Sequence, residues 1–186
     1  MNLPNKLTLL RVLMIPVFCV FLHFSPDSTL WRWLSLCVFA LACLTDWLDG
    51  QIARRRNLVT NFGKFMDPIA DKLLVMSAFV VLVGQGRMPS WACIIVLGRE
   101  FVISGFRLVA ADAGRVIAAG PLGKIKTVTQ MAAVLLLLLL SPVTGEAPLG
   151  EGGKVFADVV MYISTFFSLI SCVDYIARNR DCLKDR

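Results

Sequence analysis

The sequence is poor in charged side chains, which make up 17% of its 186 residues, whereas hydrophobic residues make up 57%. This composition excludes an intrinsically disordered chain and argues against a soluble globular domain. The sequence also shows no internal repeat, no low-complexity tract and no polar stretch long enough to form a second domain. We therefore expect a single domain that spans residues 1–186.

Cysteine pairs of the CxxC type are missing, although the chain has six cysteines. Most of these cysteines fall inside apolar runs, which is typical of free thiols that pack as small apolar groups. Neither disulfides nor a zinc site is predicted. Histidine occurs once, at His23, near the end of an apolar run. We expect it to be an interfacial side chain and not a ligand.

Long apolar runs are what the sequence has in abundance, and its mean hydropathy is +0.72. A helix needs about 20 apolar residues to cross a bilayer. The first run lacks a small-residue cleavage site, so we expect a first membrane helix and not a removed signal peptide. The predicted fold class is all-α, a polytopic membrane protein with six transmembrane helices at about residues 7–24, 30–54, 66–84, 89–111, 120–142 and 155–177.

The basic residues of the loops and helix ends are unevenly distributed between the two sides of such a protein. Twelve lie on one side and three on the other if both termini share a side. Because positively charged loops stay in the cytoplasm, the bias places both termini and this side of the protein in the cytoplasm. The net charge of +6 is thus a topology signal that also attracts anionic lipids, and no nucleic-acid partner is expected.

Four aspartates, Asp46, Asp49, Asp67 and Asp71, fall within 26 residues of this apolar chain. On helices, the first two are one i,i+3 pair and the last two are one i,i+4 pair. A single charge at bilayer depth costs about 2.5–3.5 kcal/mol, and four like charges repel one another unless cations neutralise them. The pattern therefore predicts hard divalent cations held between the two pairs, as in two-metal phosphoryl-transfer sites.

Small residues accompany the aspartates. Gly50 and Ala53 share a helix face with the first pair, and they leave room for a bulky ligand beside the carboxylates or for close helix packing. Arg54 has the fork geometry that binds phosphate, and Gly63 allows a close approach at the start of the next helix.

The full spacing, D-x2-D-G-x2-A-R-x8-G-x3-D-x3-D, resembles the signature of the CDP-alcohol phosphatidyltransferase family at all eight specified positions. Residues 2–11 are similar to the amphipathic start of that family. Residues 99–107 and 123–130 resemble its phosphatidylglycerophosphate synthase branch. The resemblance implies a six-helix enzyme, commonly a homodimer, that transfers a phosphatidyl group from CDP-diacylglycerol to an alcohol and releases CMP. For this branch the alcohol is sn-glycerol 3-phosphate.

The resemblance also implies roles for individual residues. Asp46, Asp49, Asp67 and Asp71 correspond to the ligands of two divalent cations, Mg²⁺ or Mn²⁺, and Asp71 corresponds to the general base. The CDP-diacylglycerol contacts correspond to Gly50, Ala53, Arg54 and Gly63, which Asn5 and Thr8 are expected to join.

An acceptor that carries a phosphate dianion needs fixed positive charge near the metals. Arg99 and Arg107 are eight residues apart, so on one helix they point roughly 80° apart and can line one elongated cavity. Of Lys124 and Lys126, two residues apart, at most one faces inward, and the branch pattern favours Lys124. The alternative is that the lysines are interfacial anchors and that Glu100 holds Arg99.

Two other readings stay open at this point. The same reaction on another alcohol, in a cardiolipin, inositol-phosphate or serine branch, would not require the arginine pair if the acceptor is uncharged. A small cation transporter would use the aspartates as its ion site, but it would leave Gly50, Ala53, Arg54 and Gly63 without a role. The favoured reading is a multi-pass enzyme of the cytoplasmic membrane, with its active site on the cytoplasmic side.

Overall fold

Six helices make up the part of the chain that the computed structural model describes, namely residues 3–56, 61–112, 114, 117, 120–140 and 149–180. No strand occurs in these ranges, and the predicted all-α class is confirmed. The helices are α1 (Leu3–His23), α2 (Thr29–Arg56), α3 (Asn61–Gly84), α4 (Ser90–Asp112), α5 (Pro121–Leu140) and α6 (Gly150–Arg178).

The six helices differ in how well they meet the requirements of a membrane span. Within the described ranges, four segments are long and apolar enough to cross a membrane: Asn5–His23, Thr29–Asp46, Pro121–Leu140 and Gly150–Arg178. Among the described residues, the apolar segment of α3 is shorter, Lys72–Gly84. Charged residues interrupt α4, at Arg99, Glu100 and Arg107. The chain is a multi-pass membrane protein.

The start of α3 differs from the prediction. The helix begins at Asn61, whereas the apolar run predicted a start near residue 66. Residues 61–65, Asn-Phe-Gly-Lys-Phe, extend the helix beyond its continuous apolar run, so a search for such runs alone misses them. As a result, Gly63, Asp67 and Asp71 all lie within one continuous helix.

The helices pack as a ring in the order α1, α2, α5, α6, α4, α3, in which each helix contacts the next and α3 closes the ring on α1. Additional contacts join α3 to α5 and to α2. Large apolar side chains fill the middle of the ring, among them Phe18, Phe39 and Phe79, each fully buried. The ring centres of Phe18 and Phe39 lie 5.4 Å apart, and both belong to one cluster of buried apolar side chains to which all six helices contribute.

The outward faces of the helices are apolar as well. Leu108 is 73% exposed, Phe101 69% and Val173 68%. Apolar surface of this extent would be unfavourable in water, but it matches the hydrocarbon around a membrane-spanning bundle.

The buried faces change from apolar to polar along the helices. On α1 the buried residues run from Leu22, Phe18 and Ile15 to Arg11, Thr8 and Asn5. On α5 they run from Leu138, Leu137 and Val134 to Gln130 and Lys126. Because helices that follow one another along the chain run in opposite directions, these polar halves meet at one end of the bundle, formed by the first halves of α1, α3 and α5 and the second halves of α2, α4 and α6. We call it the polar end.

The opposite end of the bundle is tied together between two turns. The Gln85 amide nitrogen donates a hydrogen bond to the Leu22 carbonyl oxygen over 2.5 Å. Arg87 Nη1 donates to Ser25 Oγ over 3.2 Å. Burial, together with the nearby positive charge of Arg32, lowers the pKa of Arg87 to about 10, so this guanidinium remains charged at neutral pH. These contacts hold the α1–α2 turn against the α3–α4 turn.

Candidate active site

The four aspartates lie on two contacting helices at the polar end. Asp46 and Asp49 are three residues apart on α2, and Asp67 and Asp71 are four residues apart on α3. Of these side chains the structure describes only that of Asp46; the other three, and those of Gly50, Ala53, Arg54 and Gly63, lie outside its described part. The described side chains alone form no group of three or more acidic, histidine or cysteine ligands.

Asp46 makes an ion pair that reaches across to α1. Arg11 Nη1 lies 2.8 Å from Asp46 Oδ1, with the arginine side chain fully buried and the aspartate side chain 35% exposed. Asn5 and Thr8, on the same buried face of α1 as Arg11, are 8% and 1% exposed. The pair therefore places the polar face of α1 next to the first aspartate of the motif.

Sequence reasoning missed the role of Arg11. A usable signal was present, because Arg11 follows Thr8 by three residues and so continues the helix face on which Asn5 and Thr8 were already singled out. A basic residue on a buried membrane-helix face needs an acidic partner, and Asp46 is the one that the fold supplies.

We expect Arg11→Met to lower the free energy of unfolding by about 2 kcal/mol, less than the 3–5 kcal/mol of a fully buried pair because Asp46 remains partly solvated. Thermal unfolding in detergent micelles measures the change. Lys6→Met, at an exposed position on the same helix, is the matched control and should leave the midpoint nearly unchanged. Equal midpoints for the two variants would show that the ion pair contributes nothing to stability.

A polar cavity of about 210 Å³ lies between α3, α4 and α5. Among the described residues that line it, four carry a positive charge: Lys72, Arg99, Arg107 and Lys126. Lys72 directly follows Asp71 in α3, so the cavity opens beside the aspartate-bearing turns of that helix.

Glu100 holds two of these cations. Its Oε1 lies 2.9 Å from Arg99 Nη1 and also accepts a hydrogen bond from the Lys126 ammonium group. The side chains of Arg99, Glu100 and Lys126 are all at most 10% exposed. A buried carboxylate between two cations reduces the mutual repulsion of the positive groups and fixes their positions.

The other two cations of the cavity are also anchored. Lys72 Nζ donates to Ser104 Oγ over 2.5 Å, which connects α3 with α4. Arg107 Nε donates to the Tyr175 hydroxyl oxygen over 3.1 Å, and its guanidinium lies 5.5 Å from the centre of the tyrosine ring. Each anchor leaves further N–H groups on the cation for a ligand.

Of the three residues predicted to bind the acceptor phosphate, two line this cavity and one does not. Arg99 and Arg107 line one cavity, while Glu100 also holds Arg99, as the alternative reading proposed. Lys124 is exposed and Lys126 is buried at the cavity wall, the reverse of the expected placement. On α5 the residues 123, 126, 127 and 130 share the inward face, and position 124 lies outside it. Lys72, Glu100 and Gln130 were not assigned to the pocket from the sequence.

The residues present fit a divalent metal ion. Carboxylate oxygens are the ligands that hard cations prefer, and Asp46 offers a partly exposed carboxylate at a helix–helix contact of the polar end. Asp67 and Asp71 occupy the facing helix within its first three turns. The motif from Asp46 to Asp71 contains no cysteine or histidine, so its donor set suits a cation that prefers oxygen ligands.

Comparison with known proteins agrees with the motif. The sequence pattern of the family described as CDP-alcohol phosphatidyltransferase matches residues 1–170. A Bacillus subtilis protein named CDP-diacylglycerol–glycerol-3-phosphate 3-phosphatidyltransferase is 41% identical over 98% of this chain and 97% of its own length. A Rickettsia felis protein with the same name is 38% identical over 94% and 93%. A Mycobacterium tuberculosis protein named as a probable phosphatidylglycerophosphate synthase is 41% identical over 95% and 81%.

The fold and the polar end define a class: a multi-pass α-helical membrane protein with acidic residues on two contacting helices and a cationic cavity beside them. The chain belongs to the CDP-alcohol phosphatidyltransferase family. Enzymes of this family generally depend on a divalent metal ion.

Proposed function

We propose that this protein is a CDP-diacylglycerol–glycerol-3-phosphate 3-phosphatidyltransferase. It transfers the phosphatidyl group of CDP-diacylglycerol to sn-glycerol 3-phosphate and gives phosphatidylglycerol phosphate and CMP. Relatives that carry this name align with nearly the whole chain. The structural observation that carries the proposal is a cavity beside the aspartate-bearing helix α3 whose lining includes four positively charged side chains.

The cavity matches the acceptor in charge. Glycerol 3-phosphate carries a phosphate dianion, and the lining holds four positive groups against the one carboxylate of Glu100 among the described residues. Arg99 Nε is buried and has no hydrogen-bond partner in the described part of the chain, so it is available to an anion. We assign the acceptor phosphate to Arg99, Arg107 and Lys126. Lys124, assigned from the sequence, is better placed to contact the membrane interface.

The donor belongs at the aspartate motif. We assign two divalent ions, Mg²⁺ or Mn²⁺, to Asp46, Asp49, Asp67 and Asp71; when bound, they would neutralise the diphosphate and the departing CMP. Gly50, Ala53, Arg54 and Gly63 leave space for the nucleotide diphosphate and contact it. Asn5 and Thr8 complete this region, since the contact between Arg11 and Asp46 brings their helix face next to α2.

The reaction then needs one proton transfer and one displacement at phosphorus. The primary hydroxyl of glycerol 3-phosphate loses its proton to the Asp71 carboxylate, and its oxygen attacks the phosphorus that bears diacylglycerol. The bond from that phosphorus to the CMP oxygen breaks. The cavity residues hold the acceptor so that its free hydroxyl points toward α3, which lowers the entropic part of the barrier.

The membrane orientation follows from charge. α1 begins and α6 ends at the polar end. The sequence assigns most of the basic residues of the loops and helix ends to this side, so we place it in the cytoplasm, where the soluble acceptor is available. We also expect a homodimer in the cytoplasmic membrane, surrounded by lipids.

The test is an assay of purified protein with CDP-diacylglycerol and labelled glycerol 3-phosphate. We expect a lipid phosphate product and stoichiometric CMP. Product from phosphatidylglycerol, inositol phosphate or serine, with none from glycerol 3-phosphate, would assign the chain to another branch. Metal transport without nucleotide dependence would instead support a cation transporter, a reading that family membership disfavours.

We expect the double variant Arg99→Gln, Arg107→Gln to raise the KM for glycerol 3-phosphate about 100-fold, because two charge-assisted hydrogen bonds to phosphate are lost. Initial rates at varied acceptor concentration measure this. Arg178→Gln is the control, since that side chain is 67% exposed at the same end and pairs with Asp174 on its own helix. An unchanged KM in the double variant would point to an uncharged acceptor.

A further inference from the structure

The side chain of Gln130 is buried in the wall of the polar cavity. The residue is 2% exposed, and its Nε2 atom has no partner in the described part of the chain. Leaving a buried amide donor unsatisfied is unfavourable, so such groups in native proteins usually meet a ligand or a water molecule. Because Gln130 lines the cavity, its missing partner belongs inside the cavity.

Gln130 differs chemically from the other polar groups of the lining. Lys72, Arg99, Arg107 and Lys126 are cations, which donate hydrogen bonds and attract negative charge. Gln130 is neutral, and its amide both donates and accepts. It lies one helical turn from Lys126 on the inward face of α5, which places it about 6 Å along the helix axis from the nearest cation of that helix.

The acceptor has three polar groups to be recognised. Its phosphate binds the cationic side chains of the cavity, and its primary hydroxyl must be free to react beside the aspartates of α3. The secondary hydroxyl remains, and a hydroxyl both donates and accepts, as the amide does. We propose that Gln130 is a specificity-determining residue that hydrogen-bonds the secondary hydroxyl of the acceptor alcohol. This inference rests on the proposed function, because it concerns the acceptor of that reaction.

The experiment compares two acceptors in two proteins. Glycerol 3-phosphate is tested against 3-hydroxypropyl phosphate, which keeps the phosphate and the reacting hydroxyl but lacks the secondary one. For the unaltered protein we expect kcat/KM to be about 10- to 100-fold higher with glycerol 3-phosphate. The other acceptor lacks the secondary hydroxyl and so leaves the buried Gln130 amide without a hydrogen bond. In Gln130→Leu, of similar size, this ratio should fall close to one.

The ratio of the two kcat/KM values distinguishes a role of Gln130 in acceptor recognition from a role in packing. A variant that merely packs badly loses kcat/KM with both acceptors alike, and its ratio does not move. Thr129→Val is the matched control, since Thr129 is the neighbouring residue on α5, lies outside the cavity lining and donates to its own helix at the Lys126 carbonyl oxygen over 2.9 Å. It should keep the ratio of the unaltered protein.

The outcomes distinguish the inference from the function on which it rests. Efficient use of glycerol 3-phosphate with equal use of the shorter acceptor by the unaltered protein would overturn the role of Gln130 and leave the proposed function standing. An unchanged ratio in Gln130→Leu would do the same. If that variant does not fold, Gln130→Met replaces it, and the measurement on the unaltered protein decides by itself. No product from either acceptor would overturn both.

Discussion

CMP release should fall about 10³-fold when Asp71 is replaced by Asn. The amide cannot take the proton of the attacking hydroxyl, and a positioned general base contributes about 10²- to 10⁴-fold. It is also a poorer ligand for a divalent ion than a carboxylate. Asp71 lies in the third turn of α3, directly before Lys72, whose side chain lines the polar cavity. Continuous measurement of CMP with purified protein tests the prediction.

The matched control is Asp112→Asn, at an exposed position where α4 ends on the same side of the bundle. It removes the same charge from the same end and should leave turnover within about twofold, as is usual for exposed substitutions. Both variants should insert and elute like the unaltered protein. Near-normal turnover of Asp71→Asn would remove this residue from the mechanism.

Chelation of divalent ions should reduce the activity to background, and added Mg²⁺ or Mn²⁺ should restore it. Without the ions, the diphosphate of the donor and the dianion of the acceptor repel each other and the four carboxylates. The restoration curve with each ion also determines which of the two supports the higher rate.

A second readout tests the metal site without turnover. An ion that binds only the folded protein raises its unfolding midpoint. We therefore expect Mg²⁺ to stabilise the unaltered protein and the Asp112→Asn variant, and to stabilise a protein with Asp67→Asn and Asp71→Asn much less. Equal stabilisation of all three would place the ion elsewhere.

The helices and the family could be predicted from the sequence because both depend on local spacing. Apolar runs of spanning length gave six helices, and the fixed offsets of Asp46, Asp49, Asp67 and Asp71 gave two pairs on consecutive helices. Family membership, which was inferred from eight positions, is confirmed over residues 1–170. The roles assigned to these eight residues stay predictions.

Contacts between distant helices could not be predicted in the same way. Lys124 and Lys126 differ by about 200° around α5, and the packing of α5 against α6 and α2 decides which of them turns inward. The pairing of Arg11 with Asp46 and of Glu100 with Lys126 depends likewise on which helices become neighbours in the ring. The spacing of residues along one helix shows which of them share a face, but the residues that contact this face are determined by how the helices pack.

The fully buried phenylalanines in the middle of the ring have a consequence for the direction of lipid traffic. Phe18, Phe39 and Phe79 fill the bundle between its two ends, and the contacts of Gln85 and Arg87 fasten the far turns to each other. A headgroup that enters at the polar end meets solid packing beyond the aspartates. With the donor bound at the aspartates, as we propose, we expect the newly made phospholipid to leave into the leaflet that supplied its precursor, so that its appearance on the opposite leaflet would require a separate flippase.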